Sequence, residues 1–112
     1  MVGYDVMIKR GDTRHAIRAI LKDIDGDPVN LEGCEVKFFM ALLGQPAIIK
    51  REPHIENAAN GEVWVVWVPG ETNKAGVYRS EFKVKYPDGK IETFPNTGYI
   101  SINILNDLGG GK

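Results

Sequence analysis

The sequence contains one cysteine, Cys34, in 112 residues. A single thiol cannot close an internal disulfide, so the fold must rest on packing alone. There are two histidines, His15 and His54. Neither has a cysteine or a third histidine at metal-ligand spacing. Long apolar runs are missing. The longest cover residues 38–43 and 63–68, whereas a membrane-spanning helix needs about 20 apolar residues. The N-terminus shows no apolar block of the signal-peptide kind. Neither charge is in excess, with 14 Lys plus Arg against 15 Asp plus Glu and a net charge of -1. A surface built to neutralise phosphates would be basic, so neither nucleic acid nor membrane is expected as a partner. Helical periodicity is also lacking. Its one candidate is residues 38–43, where Met40, Ala41, Leu42 and Leu43 have helical propensity.

What is present is a globular balance, 43% hydrophobic and 26% charged residues, punctuated by 13 glycines and 6 prolines. Turn signals fall at Asp25-Gly26-Asp27-Pro28, Asn60-Gly61, Pro69-Gly70 and Pro87-Asp88-Gly89. Between them lie short segments rich in β-branched and aromatic residues. Residues 6–9 read as a first strand. In residues 16–23, Ile17, Ala19 and Leu21 alternate with Arg18 and Lys22, and Ile20 breaks the pattern. Residues 34–40 place Cys34, Val36, Phe38 and Met40 on one face and Glu35 and Lys37 on the other. Residues 48–51, with Ile55, form a weaker strand that Pro53 confines to an edge.

Residues 62–68 are apolar on both faces, which implies cover on both sides or one side used for docking. Residues 77–86 alternate most clearly. Tyr78, Ser80, Phe82, Val84 and Tyr86 face one way, and Arg79, Glu81, Lys83 and Lys85 the other. Residues 90–94 and 99–105 follow, the last with Ile100, Ile102 and Ile104 inward. Seven or eight strands with turns about every ten residues predict an all-β fold. Its expected form is an immunoglobulin-like antiparallel β-sandwich of Greek-key type. One domain over residues 1–108 and a disordered tail over 109–112 complete the expectation. Tyr78 enters a late strand after a corner, where its hydroxyl can bond back to the loop backbone. The cysteine that follows such a tyrosine in antibody domains is replaced by Ser80.

Catalytic or metal-binding chemistry finds no pattern. Asp23, Asp25 and Asp27 have the spacing that opens a calcium loop. But Pro28 follows directly, glycine stands fourth instead of sixth, and the twelfth position is Cys34; the segment reads as a turn. Cys34 reads as a small core residue. Trp64 and Trp67, three apart on a strand, point to opposite faces and form no common platform. Trp67 shares a face with Val63 and Val65 and reads as core, which leaves Trp64 for core or interface. No cofactor, metal or catalytic set is expected.

A succession of short motifs gives the chain a likeness. Ile8-Lys9-Arg10-Gly11-Asp12-Thr13 opens it, and Asp25-Gly26-Asp27-Pro28-Val29-Asn30-Leu31 follows. Then come the strand from Cys34 to Met40, Gly76-Val77-Tyr78-Arg79-Ser80-Glu81-Phe82, Asp88-Gly89-Lys90-Ile91-Glu92-Thr93-Phe94-Pro95, and the closing isoleucine strand. In this order and spacing they resemble the N-terminal domain of the upper baseplate protein of siphophages infecting Gram-positive bacteria. The resemblance covers about residues 4–108. It implies a non-catalytic structural component of a phage or prophage tail or baseplate. Such a protein is made in the host cytoplasm, ends in the virion, and acts as an assembly or anchoring module. Other tail proteins would be its partners, and it could form a trimer or hexamer of its own. Arg10, Asp12, Phe39 and Trp64 are the candidate contacts; Phe39 stands out because it shares the charged face of Glu35 and Lys37. The alternative is a carbohydrate-binding or adhesion module with Tyr4, Tyr86 and Tyr99 as its aromatics.

Overall fold

The computed structural model describes residues 5–109. Nine strands are described: β1 (Asp5–Lys9), β2 (Ile17–Ile20), β3 (Glu35–Leu42), β4 (Ala47–Arg51), β5 (His54–Asn57), β6 (Glu62–Val65), β7 (Gly76–Lys85), β8 (Ile91–Phe94) and β9 (Ile100–Leu105). A single 3-10 turn, Ala58–Asn60, is the helical element among the described residues. The segment at 38–43 that had helical propensity is strand through Leu42. Pairing with β4 and β7 on both flanks overrides local preference there.

The strands form two sheets. The larger runs β1-β9-β7-β3-β4, with β8 also on β7; the smaller runs β2-β6-β5. Their inner faces supply one core, including Phe38, Met40, Tyr78, Phe82, Val84, Ile102, Val63 and Val65, and Trp67 joins it from beyond the end of β6. The chain is therefore all-β and sandwich-like. Two expectations need correction. There are more strands than seven or eight, because short segments split where the chain changes sheets. The larger sheet is also mixed instead of antiparallel throughout, since β1 runs parallel to β9, from Asp5 opposite Ser101 to Lys9 opposite Leu105.

Pro53 marks one change of sheet. Residues 48–51 and Ile55 were expected in one edge strand. Instead β4 ends at Arg51 as an edge of the larger sheet, and β5 begins at His54 as an edge of the smaller one. Proline cannot donate to a ladder, so pairing stops there and the chain crosses over. Strands β8 and β9 share one side of β7. Phe94 lies opposite Phe82 and Ile100 opposite Ser80. Residues 95–99 loop out between them, starting at the cis peptide Phe94-Pro95.

Tyr78 makes the expected corner. Its buried hydroxyl donates to the Lys74 carbonyl at 2.7 Å. Ser80, in the place of the missing cysteine, donates from Oγ to the Ile100 carbonyl at 3.0 Å. Cys34 differs from its expected place. It precedes β3, is half-buried, and packs on the rim of the core. Burial, and then the negative charge of Asp88, push its thiol pKa up, which favours the protonated thiol over the thiolate. The tail expected from residue 109 lies, from Gly110 to Lys112, outside the described residues.

Candidate interaction surface

Alternation on β3 and β7 sends Phe38 and Phe82 inward, where their rings sit 5.2 Å apart. The same alternation sends Phe39, Arg79, Glu81 and Lys83 outward. Phe39 is half-buried on this outer face, flanked by Lys50 on one side and Glu81 on the other. The Lys83 ammonium lies 5.9 Å from the centre of its ring. Next along, the Arg79 guanidinium covers the Tyr99 ring at 4.7 Å. A shallow hollow of about 280 Å³ lies between these side chains and Ala41 and Ala47.

Trp64 is on the other side of the molecule. Val63 and Val65 face the core, so Glu62 and Trp64 face out from the smaller sheet. The Trp64 indole N–H donates to Glu62 at 2.9 Å. Arg18, directly opposite in register, stacks over the ring at 4.4 Å. His54, opposite on the other flank, meets it edge-on at 6.0 Å and contacts Glu56 at 3.0 Å. Phe39 and Trp64 thus occupy opposite outer faces and cannot touch one partner surface together. Val66 and Val68, expected to extend the Trp64 strand, lie beyond its end and are half exposed.

Arg10 and Asp12 lie at one end of the sandwich. Both Nε and Nη2 of Arg10 donate to Asp107 at 3.3 Å, and its backbone N–H donates to the Leu105 carbonyl. Asp12 closes a turn by donating its N–H to the Lys9 carbonyl. What Asp12 accepts, it accepts on its carbonyl oxygen, from the buried Thr72 hydroxyl at 2.9 Å. Gly11 donates in turn to the Thr72 carbonyl. Both residues are therefore part of the stitching between β1, β9 and the loop before β7.

Sequence reasoning missed two groups. Arg51 holds Glu71 by two bonds of 2.7 and 2.8 Å and also donates to the Val66 carbonyl. Glu71 accepts the Val68 N–H. Burial alone would raise the Glu71 carboxyl, but the bonds from Arg51 and Val68 hold it below its ordinary value. The pair is 20 residues apart, and no local pattern announces it. The second group is a cleft of about 350 Å³ along the free side of β2. Ile20, Ile24, Phe94, Pro95 and Ile100 are among its lining residues.

Among the described residues, the two aromatics of the sugar-binding alternative, Tyr86 and Tyr99, do not converge. Tyr86 turns its hydroxyl onto Glu92 at 2.6 Å, and burial and that bond raise its pKa. Tyr99 is on the outer face of the larger sheet under Arg79. Tyr4 lies outside the described residues. Asp23, the first of the calcium-like carboxylates, accepts the backbone N–H groups of Asp25 and Asp27 at 2.9 and 3.0 Å. It caps a turn, as its sequence setting suggested. Among the described residues, no three His, Cys, Asp or Glu side chains gather as a metal site.

Comparison with protein families matches the chain to the BppU N-terminal domain over residues 5–108. No curated protein matches the chain.

Proposed function

From the premise that the chain belongs to the BppU N-terminal domain family, a family of phage baseplate structural domains, we propose that it acts as a non-catalytic assembly or anchoring module. The family match across residues 5–108 is the observation that carries this reading. Membership of a baseplate family supports a position in the virion tail, with other tail proteins as partners. Synthesis in the host cytoplasm precedes that assembly. The geometry supports Phe39 as the centre of the contact face, because it is an aromatic surrounded by charge on a broad, exposed sheet. Trp64 marks a second, separate face. Arg10 and Asp12 contribute by fixing the end of the domain.

Affinity purification of the tagged chain from phage-producing cells, followed by mass spectrometry, tests the proposal. Tail or baseplate proteins are expected in stoichiometric amounts. Recovery of cell-wall glycan alone, or of nothing, would overturn it.

A further inference from the structure

The outer face of the larger sheet carries its charges in an arrangement that the isolated domain does not need. Lys37 and Lys83 stand directly opposite each other on β3 and β7, where like charges oppose pairing. Lys50 flanks Phe39 in the next row, and Arg79 follows in the row beyond. Among the described residues, none of these four cations makes an ion pair. Two acids share this face, Glu81 beside Phe39 and Glu35 one row before Lys37, and Glu35 stands opposite a further cation, Lys85. A chain with a net charge of -1 thus gathers unneutralised positive charge around one aromatic residue.

We propose that this face docks a carboxylate-rich protein surface of a neighbouring tail subunit, with Lys37, Lys50, Arg79 and Lys83 receiving its acids around Phe39. The inference rests on the assembly role proposed above and adds the chemistry of the partner. Charge complementarity selects an acidic occupant. The Arg79 guanidinium lies over the Tyr99 ring and the Lys83 ammonium lies near the Phe39 ring, so two of the cations are held beside an aromatic that can pack against an apolar side chain between the partner's acids. Glu81, in the middle, would repel a continuous phosphate chain and suits a partner with mixed charge.

The test is an NMR titration of the full chain with a ten-residue glutamate peptide, with a ten-residue lysine peptide and a ten-nucleotide DNA strand as comparisons. The glutamate peptide is expected to shift the amides of β3, β4 and β7, to weaken as salt rises, and to lose at least tenfold in affinity in the R79E/K83E variant. Lys83→Glu alone is expected to raise the melting temperature, because it turns the opposed lysines into a complementary pair. Tighter binding of DNA than of the glutamate peptide, shifts confined to another surface, or a lower melting temperature for Lys83→Glu would each overturn the proposal. None of these outcomes bears on whether tail proteins co-purify, so the two readings fail separately.

Discussion

Gly61 shows how much a single backbone position can carry. It has φ of +70° at the turn into β6, a conformation that side chains disfavour. A β-carbon there would lie 2.8 Å from the carbonyl oxygens of both Leu21 and Val29. Those groups belong to the ladder that closes the smaller sheet, with Leu21 donating to Gly61 and Val29 donating to Leu21. Gly61→Ala is therefore expected to cost about 2 kcal/mol or more, as strain and clash combine. Gly26, at φ +86°, has open space where its β-carbon would go, so Gly26→Ala should cost about 1 kcal/mol, from the backbone alone. Urea unfolding of both variants checks the difference. The Asn60-Gly61 turn was legible in the sequence; the two carbonyls that make its glycine irreplaceable come from residues more than thirty positions away.

Among the elements, β3 and β7 were the most legible, because one face is buried and the alternation of Val36, Phe38 and Met40 or Tyr78, Phe82 and Val84 must match it. Strands β4 and β5 were legible as weak and edge-like, but their split between two sheets was not, since Pro53 says where pairing stops and not where the chain goes next. The parallel placement of β1 escaped for a similar reason: a five-residue strand carries no mark of its direction relative to a partner ninety-six residues later. The link that holds the crossing together is Arg51 at the end of β4 and Glu71 in the loop before β7. Because the Glu71 carboxyl is held below its ordinary value of 4.5, its contribution to stability is complete above that pH. It is lost as the pH falls through the folded value. Glu71→Gln is expected to lower stability by about 1.5 kcal/mol at pH 7. The gap to the parent chain should narrow as the pH drops below 4, which urea midpoints at both pH values will show. At the alkaline end, Tyr86 acts with the opposite sign. Its raised pKa favours the fold below about pH 10, and that support fades as the pH rises further.

For the molecule as a whole, the candidate contacts divide by what sequence can and cannot specify. Phe39 was legible because it interrupts a charged face, and Trp64 because Val63 and Val65 claim the core. That these two residues look in opposite directions depends on which strands fall in which sheet, and strand patterns alone do not fix that. It follows that Phe39→Ala and Trp64→Ala, each a surface change, should leave the melting temperature within a few degrees of the parent. They should also differ in their effect on recovery of tail proteins, with Phe39→Ala the more damaging. The parallel alignment of β1 and β9 has a mechanical consequence. The chain enters β1 at one end of the pair and leaves β9 at the other. Tension between the two termini therefore pulls these strands past each other lengthwise and loads all five register pairs together. Pulled on the turn between β3 and β4 instead, the edge strand β4 would peel away rung by rung. Single-molecule stretching is expected to find a higher rupture force in the first direction than in the second, the behaviour of a link that bears load along its length.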